Sequence, residues 1–331
     1  MIKTLTPTLP AITILQEQIN GDKFAEDVAF GLSQNPKSLS SKYFYDERGS
    51  RLFEDIMKLP EYYLTNCEQE IFDTYKDEFL DIAKDKPFCL VDLGAGDAAK
   101  TTTLLQHFTK EEAQFQYIPI DISKEITTEL ISKVNNDYPS LPTEGVVGDY
   151  FEGLNWLKQN IHERKLVLFM GSNIGNFDKV TVISFLQKMW NALSDGDLLL
   201  IGFDLKKDPK TILAAYDDSQ GITAEFNYNL LRRINAELGG DFQLDKWKHY
   251  ASYNPITGAV ESFLVSQAAQ KVHIAAIEQS FHFHAFEAIH TEYSFKYSLP
   301  EISELARLSN FHPLKNFYSG DGYFVDIIWM K

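Results

Sequence analysis

The chain has 331 residues, of which 44% are hydrophobic and 24% are charged. These proportions are ordinary for a globular protein, and the length suits one large domain or two of common size. The net charge of −16 argues against nucleic-acid binding, which depends on clustered Lys and Arg. The chain has no run of about eighteen apolar residues, so we expect no membrane span.

The first 66 residues are helical and aromatic in pattern and lead into the segment KYFYDERGSRLFEDIMKLPEYYLTNCEQE. The N-terminus lacks the long apolar core of a secretory signal, so we expect a cytoplasmic protein. Cys67 and Cys89 fall within a helical and a strand pattern. We therefore expect free buried thiols in a reducing compartment and no disulfide.

The middle of the chain alternates between strand and helix patterns. Apolar runs predict strands at 89–93, 116–120, 144–147, 165–170 and 197–203. Intervening patterns predict helices at 99–109, 123–136 and 178–193. Strands that are apolar throughout and separated by helices indicate a mostly parallel sheet covered on both faces. The predicted fold class is α/β, with a Rossmann-like nucleotide-binding sheet.

The last third of the chain changes character. ITAEFNYNLLRRINAELGG predicts a helix that ends at Gly239 and Gly240. β-rich runs broken by the turn NPITG then predict an antiparallel insertion, and a helix near 300–309 and a strand in GYFVDIIWM close the chain. We divide the chain into an N-terminal part of a substrate lobe, a nucleotide-binding domain, an inserted α+β substrate lobe and a return to the sheet. Their ranges are 1–66, 67–205, 206–296 and 297–331.

A glycine turn, LVDLGAGDAAKT, follows the first predicted strand of the middle region. Gly94 and Gly96 allow a ligand to approach the backbone closely. Asp121 ends the next strand, 25 residues after Gly96, where a carboxylate can accept hydrogen bonds from both ribose hydroxyls. Asp149 follows the third strand and is suited to an adenine amino group. The sequence thus predicts a nucleotide at the carboxyl edge of the sheet.

The acids distinguish between two nucleotide cofactors. NAD carries a pyrophosphate, which requires positive potential and a helix N-terminus. S-adenosylmethionine carries a sulfonium and an ammonium group, which tolerate the carboxylates of Asp92, Asp121 and Asp149. We therefore expect S-adenosylmethionine. The alternatives are a NAD-dependent dehydrogenase and a turn that binds no ligand.

The fourth of these strands leads into GSNIGNF. Gly171 and Gly175 would let a substrate pack against the backbone, and the Asn176 amide can both donate and accept hydrogen bonds. Asn176 could therefore hold a carboxylate while facing an amine. It could also cap the helix that follows, and the two roles are compatible.

Several segments resemble a known family in the order in which they occur. They are LPEYY, VDLGAGDAAKT, IPIDIS, GDY, GSNIGNF, FDLKKDP, AAYDDSQGITAEFNYNLLRRIN and HTEYSFKY. From about residue 35 to the last strand the chain is similar to the histidine-specific, S-adenosylmethionine-dependent methyltransferases of ergothioneine biosynthesis. The resemblance implies that three methyl groups are added to the α-amine of L-histidine, which gives hercynine. We expect a monomer with a small-molecule substrate and no nucleic-acid or membrane partner.

The resemblance also implies roles for individual residues. Tyr62, Asn176 and Tyr216 would hold the substrate carboxylate and amine. Tyr45 would place its hydroxyl close to the amine, so Tyr45 and Asn176 are the candidate catalytic residues. The imidazole would be read by Glu292 and Ser294. The implied cofactor-binding residues are Gly94, Gly96, Lys100, Asp121, Asp149, Tyr150 and Gly171.

These assignments suit the chemistry of methyl transfer. Displacement at a sulfonium methyl needs a neutral amine in line with the bond that breaks, and alignment contributes up to about 7–11 kcal/mol. Neutral polar groups serve this purpose, because a carboxylate against the amine would keep it protonated. Glu292 and Ser294 are two residues apart on a strand and therefore face the same side. The tyrosines could instead be core aromatics, and Glu292 a surface charge.

Ser262 departs from the family pattern, because the best-known members carry a methionine there that packs against the imidazole. Serine would leave a larger or more polar pocket. The substrate could then be another amino acid or a histidine derivative, and a non-catalytic S-adenosylmethionine-binding module is a further alternative. His282 and His284 have a spacing seen in metal sites, but no third ligand accompanies them, so we expect no metal.

Overall fold

The computed structural model describes residues 11–15 and 21–331. Its strands are β1 (Ala11–Ile14), β2 (Lys37–Ser38), β3 (Phe88–Leu93), β4 (Phe115–Asp121), β5 (Glu144–Val147), β6 (Arg164–Phe169), β7 (Leu198–Asp204), β8 (Trp247–Asn254), β9 (Ala259–Ser266), β10 (Gln270–Ile274), β11 (Gln279–Phe283), β12 (Ala288–Phe295), β13 (His312–Tyr318) and β14 (Phe324–Met330). Its helices are α1 (Gly21–Ser33), α2 (Glu47–Ile56), α3 (Tyr63–Ala83), α4 (Ala99–Lys110), α5 (Lys124–Asp137), α6 (Tyr150–Asn160), α7 (Lys179–Ala192), α8 (Pro209–Ala214), α9 (Ile222–Leu238) and α10 (Leu299–Leu308).

One large sheet has the strand order β1-β5-β4-β3-β6-β7-β14-β13. The strands from β1 to β7 in this order are parallel, β14 pairs antiparallel with β7, and β13 pairs antiparallel with β14. The chain builds outward from β3 through β4 to β5 and then crosses to β6 on the opposite side of β3. Ligands of a parallel sheet bind at such a reversal, beyond the carboxyl ends of the strands.

Helices cover both faces of the large sheet. Alternate residues of β3 enter two different cores, because successive side chains of a strand point to opposite faces. Phe88 and Leu90 pack with residues of α3 and α4, whereas Cys89 and Val91 pack with residues of α6 and α7. The predicted α/β class is confirmed, and the five strands and three helices predicted in the middle region lie within one residue of their expected bounds.

A smaller sheet, with the order β2-β12-β9-β8, forms the second lobe. β8 and β9 are the antiparallel pair joined by the predicted NPITG turn. Helices α1 and α9 pack on this sheet, and Phe24, Leu230, Leu264 and Ile289 share its core. The second lobe therefore combines residues from near the N-terminus with the segment that follows the large sheet's β7.

The structure departs from the sequence-based division in the N-terminal segment, of which residues 1–10 and 16–20 lie outside the described part. β1 was assigned to the helical part of the substrate lobe, but it pairs with β5 at the edge of the large sheet. The boundary between 66 and 67 falls inside α3, because one continuous helix covers the sheet there.

The tail holds a strand that the sequence did not indicate. β13 buries only Phe317 of its seven residues, so it lacks the apolar alternation that identifies a strand. It is an edge strand that the neighbouring β14 holds by backbone hydrogen bonds. Within the described ranges, no helix has the length and hydropathy that a bilayer span requires.

Candidate active site

A cleft lies between the carboxyl edge of the large sheet and the second lobe. It encloses about 1750 Å³ of non-protein space, part of which is open to solvent. Two groups of residues line it: the turns after β3, β4 and β6, and side chains that the second lobe and the start of α3 contribute. The cleft is therefore bounded on one side by the edge of the large sheet and on the other by the second lobe.

The turn after β3 has the backbone conformation that glycine favours. Gly94 has a φ of +81° and Gly96 a φ of +53°, values in the left-handed region that other residues rarely adopt. A Cβ atom at Gly94 would lie 2.9 Å from the Tyr150 hydroxyl. The phenol of Tyr150 thus lies against the turn, and any side chain at Gly94 would collide with it.

Asp121 ends β4 and accepts hydrogen bonds from two neighbouring turns. Its Oδ2 accepts a hydrogen bond of 2.9 Å from the Gly96 amide, and its Oδ1 accepts one of 2.9 Å from the Ser123 amide. Burial raises the pKa of Asp121, and these amide hydrogen bonds oppose that effect. Each carboxylate oxygen has a second lone pair, so Asp121 can still accept hydrogen bonds from a ligand in the cleft.

Lys100 projects from the first turn of α4 and forms an ion pair with Glu68 of α3. Glu68 is fully buried, and its Oε1 also accepts a 2.8 Å hydrogen bond from the Gly171 amide, at the turn after β6. One carboxylate therefore joins the turns after β3 and β6. Sequence reasoning missed Glu68, because a single glutamate within a helical pattern carries no visible signal.

Asp149 was predicted to lie near the adenine. Its Oδ1 accepts hydrogen bonds of 2.9 Å from the amides of Phe151 and Glu152, and Glu152 completes the capping box of α6. Asp149 is exposed, and it is absent from the cleft lining, which includes its neighbour Tyr150. The structure thus gives Asp149 a helix-capping contact, and its adenine contact stays a prediction.

The candidate substrate residues come together from separate elements. Tyr45 precedes α2, Tyr62 precedes α3, Asn176 closes the turn after β6, and Tyr216 follows α8. Glu292 and Ser294 lie on β12. All six line the same cleft, although they span nearly 250 residues of sequence, as the positions 45 and 294 show.

Four of these side chains have no protein partner. Across the described residues, the hydroxyls of Tyr45 and Tyr62, the amide of Asn176 and the carboxylate of Glu292 make no hydrogen bond to another protein group. Tyr45 and Asn176 are exposed in the cleft, and Tyr62 and Glu292 are partly exposed. The four polar groups converge on one cleft, where they are free to form hydrogen bonds with a ligand.

The pKa values of the candidate substrate residues distinguish Glu292 from the tyrosines. Burial raises the pKa of Glu292 to about 7, and the charge of Lys296 opposes this effect. Burial also raises the pKa values of Tyr45, Tyr62 and Tyr216 well above 10. The three phenols therefore remain protonated at neutral pH, whereas Glu292 changes its charge near neutrality.

Tyr216 and Ser294 belong to a buried network that the sequence did not indicate. Their hydroxyl oxygens are 2.8 Å apart. Lys296 donates hydrogen bonds of 2.6 Å to Tyr216 and 2.9 Å to Ser294, and its Nζ lies 2.8 Å from Oδ2 of Asp204. Lys296 continues the two-residue spacing of Glu292 and Ser294. This spacing places the three residues on one face of a strand, so the sequence could have indicated Lys296 as a site residue.

Ser262 lies on β9 directly opposite Glu292 of β12. Directly opposed residues of antiparallel strands share a face, with Cβ atoms roughly 4.5–5.5 Å apart. Ser262 is 2% exposed and is not itself among the residues that line the cleft. Ser262 therefore lies behind the cleft surface, beside Glu292, the residue predicted to contact the imidazole.

Aromatic side chains surround the polar groups. The ring centroids of Phe53 lie 5.6 Å from Tyr45, 6.2 Å from Tyr62 and 5.9 Å from Phe226. The Tyr62 and Tyr216 rings meet edge to face at 6.4 Å. Phe53 and Phe226 were missed as site residues, although Phe226 lies in the quoted AEFN motif. They give the cleft an apolar wall.

Other polar residues near the cleft have structural partners. Tyr63, the neighbour of Tyr62, donates a 2.8 Å hydrogen bond to Asp204 in the core. Asp218 accepts hydrogen bonds from three backbone amides at the start of α9. No cluster of three or more His, Cys, Asp or Glu side chains with metal-binding geometry occurs in the described ranges.

Comparison with known proteins identifies similar chains. The sequence profile of the family described as histidine-specific, SAM-dependent methyltransferase matches residues 24–331. The histidine N-alpha-methyltransferase of Mycolicibacterium smegmatis is 38% identical over 90% of this chain and 92% of its own length. That of Mycobacterium tuberculosis is 34% identical over 87% and 89%. A more distant relative, the 4-dimethylallyltryptophan N-methyltransferase of Claviceps fusiformis, is 25% identical over 89% and 88%.

Proposed function

Because this chain belongs to the histidine-specific, S-adenosylmethionine-dependent methyltransferases, we propose that it methylates the α-amine of L-histidine, three times in succession to hercynine. The observation that carries this proposal is the convergence of four unpartnered polar groups on one cleft. Tyr45, Tyr62, Asn176 and Glu292 offer the donors and acceptors that a free amino acid with a polar ring would occupy. Two histidine N-alpha-methyltransferases among the relatives cover nearly the whole chain.

The cofactor end of the cleft fits S-adenosylmethionine better than a pyrophosphate nucleotide. Among the described residues that line the cleft, Lys100 is the only Lys, Arg or His, and Glu68 neutralises it. Asp97, Asp121 and Glu292 also line the cleft, so its potential favours cations. Bound there, S-adenosylmethionine would supply a methyl group activated by its positive sulfur. Asp121 would accept hydrogen bonds from the ribose, and Gly94, Gly96, Tyr150 and Gly171 would line its path.

The substrate end of the cleft has different residues for the ring and for the carboxylate of an amino acid. Glu292 and Ser294 lie on one face of β12 and would contact the two ring nitrogens of histidine. Tyr62 and Asn176 would donate hydrogen bonds to the carboxylate. Tyr216 would contribute its hydroxyl to the same pocket. A site that pairs polar groups of a ligand discriminates strongly against ligands that lack them.

The reaction requires a neutral amine, and the tyrosines allow one. Because burial raises the pKa of Tyr45, its hydroxyl keeps its proton and contacts the amine as a neutral group. It orients the nitrogen lone pair and does not act as a strong base. The proton that leaves the ammonium therefore passes to water in the open part of the cleft. Alignment by Tyr45 and Asn176 then supplies the main rate enhancement.

The direct test is mass spectrometry of histidine after incubation with the protein and S-adenosylmethionine. We expect products that carry one, two and three added methyl groups, with the trimethylated product at the end. All other amino acids should remain unmodified. Unchanged histidine in the presence of bound cofactor would overturn the proposal. Thermal stabilisation by S-adenosylhomocysteine, with no stabilisation by NAD, tests the cofactor separately.

A second candidate is methylation of another amino acid or a histidine derivative. Ser262 favours it, because the residue opposite Glu292 is a serine where the best-known family members carry a methionine. The Claviceps fusiformis relative, whose name specifies a tryptophan derivative, has a comparable length. The same mass-spectrometric experiment with ring-substituted histidines and tryptophan separates the two candidates.

A further inference from the structure

Lys296 is a buried cation directly behind the substrate pocket. Its side chain is fully inaccessible to solvent. Its Nζ donates to the hydroxyl oxygens of Tyr216 and Ser294, at 2.6 Å and 2.9 Å, and pairs with Asp204. An ammonium group has three N–H donors and no lone pair. Lys296 can therefore donate to both hydroxyls but can accept a hydrogen bond from neither.

This restriction fixes the number of protons that the two hydroxyls can offer to a ligand. Tyr216 and Ser294 together have two O–H groups, and one of them must occupy the 2.8 Å contact between their oxygens. Since Lys296 accepts nothing, the other proton points elsewhere. Both residues line the cleft. The pair therefore offers one hydrogen-bond donor to whatever occupies the cleft.

The identity of that donor follows from the acidity of the two hydroxyls. A phenol is a stronger donor and a weaker acceptor than an alkyl hydroxyl. Tyr216 should therefore donate to Ser294. The Ser294 oxygen then accepts from both Lys296 and Tyr216, which uses its two lone pairs, and its own proton is free for the cleft.

We propose that Lys296 is a positioning residue that makes Ser294 an obligate hydrogen-bond donor, so that the pocket selects a ring with an unprotonated nitrogen. This inference rests on the proposed function. Glu292, two residues before Ser294, accepts the N–H on the other side of the ring. Together they select neutral imidazole, which has one N–H and one lone pair, over rings with two N–H groups or none.

A double-mutant cycle in histidine binding tests whether Lys296 acts through Ser294. K296M and S294A should each weaken histidine binding by about tenfold, the size of one hydrogen bond in a binding constant. The double variant should be hardly weaker than either single variant, because both remove the same contact. Calorimetric titration with histidine, with S-adenosylhomocysteine present, measures all four proteins.

Lys207 provides the matched control. It is also a buried lysine paired with Asp204, but it contacts Tyr63 and neither pocket hydroxyl. K207M should leave histidine affinity within about twofold of the original. S-adenosylhomocysteine affinity should be unchanged in every variant. In K296M, Asp204 retains Lys207 and the Tyr63 hydroxyl, which supports folding. K296Q, whose amide can still donate, should restore part of the affinity.

The outcomes distinguish this inference from the proposed function. The inference is wrong if the loss of histidine affinity in the double variant equals the product of the losses in K296M and S294A. It is also wrong if K207M loses as much histidine affinity as K296M, because Lys296 then does not act through Ser294. If the original protein binds its cofactor but does not bind or methylate histidine, the proposed function itself is wrong.

A second test does not depend on the folding of the lysine variants. Thiazolylalanine has a ring nitrogen with a lone pair but no N–H, and its 4- and 5-thiazolyl isomers place that nitrogen at one or the other position of the histidine ring nitrogens. S294A should weaken the isomer whose nitrogen faces Ser294 and should not affect thienylalanine, which has no ring nitrogen. Equal effects of S294A on the thiazole and thiophene ligands would contradict the inference.

Discussion

Glu292 and Ser262 lie directly opposite each other on neighbouring antiparallel strands, where the smaller sheet faces the cleft. The acid has no hydrogen-bond partner among the described residues, and the serine has little volume. The pair places a carboxylate that lines the cleft beside a small, buried side chain. The choice of substrate ring should therefore depend on both residues.

Replacement of Glu292 should separate substrate binding from cofactor binding. We expect E292A to weaken histidine binding by roughly 10- to 100-fold, the range for a hydrogen bond to a charged group. S-adenosylhomocysteine binding should remain within a factor of two. E261Q is the matched control, because Glu261 lies next to Ser262 on β9, and adjacent residues of a strand point to opposite faces. Equal losses in the two titrations would show that Glu292 does not read the ring.

Enlargement of Ser262 should narrow the ring pocket. We expect S262M to retain histidine binding and to lose any binding of ring-substituted histidines or tryptophan that the original protein shows. A methionine on β9 would extend beside Glu292 towards the ring without removing the carboxylate. S266A on the same strand, away from Glu292, serves as the control. Competition assays with histidine, ring-substituted histidines and tryptophan measure the change. Unchanged affinities for these ligands in S262M would show that Ser262 does not limit ring size.

Glu292 should also make stability depend on pH. Burial raises its pKa from 4.5 to about 7, so the folded state binds the proton more tightly than the unfolded state does. The contribution of Glu292 to stability is therefore greatest below pH 4.5, falls as the pH rises towards 7 and is constant above it. E292Q should stabilise the ligand-free protein at pH 8 by up to about 3 kcal/mol and have little effect at pH 4.5. Denaturant titrations at the two pH values provide the measurement, and equal stabilisation at both would contradict the assigned cause.

The Glu68 contact predicts a link between folding and the cofactor. E68Q would leave Lys100 without its anionic partner, and loss of one member of a buried ion pair typically destabilises a protein by about 3–5 kcal/mol. Glutamine is also a weaker, neutral acceptor for the Gly171 amide, so cofactor affinity should fall by about tenfold. E70Q, at a surface contact of the same helix, should change neither property. Full cofactor affinity in E68Q would show that the two turns do not depend on this carboxylate.

Asp149 can be tested for both of its possible roles at once. D149A should lose about 1 kcal/mol of stability, the usual value of a helix N-cap, and D149S should restore it. If Asp149 also contacts the adenine, as the sequence analysis proposed, neither variant will bind S-adenosylhomocysteine as well as the original protein. Its Oδ2 is not used in the cap and remains available for that contact. Unchanged affinity in D149S would leave Asp149 as a cap alone.

The sequence determined the central sheet because that information is local. Strands buried on both faces are apolar throughout, and helices between them have a regular period, so β3 to β7 and three of the four helices between them were predicted within one residue. The glycine turn and Asp121 were also predictable, because their place follows from the strand that precedes them. β13 was not, since an exposed edge strand is held by the backbone of its neighbour and leaves no apolar pattern.

The side-chain partners were decided by the tertiary structure. Tyr62 and Tyr63 are adjacent and identical in type, yet one faces the cleft and the other bonds to Asp204. Glu68 and Lys296 are ordinary charged residues in the sequence. Their importance arises because folding removes them from water, where a charge must find a partner. Burial and pairing depend on contacts between residues far apart in the chain, and no local pattern encodes which contacts form.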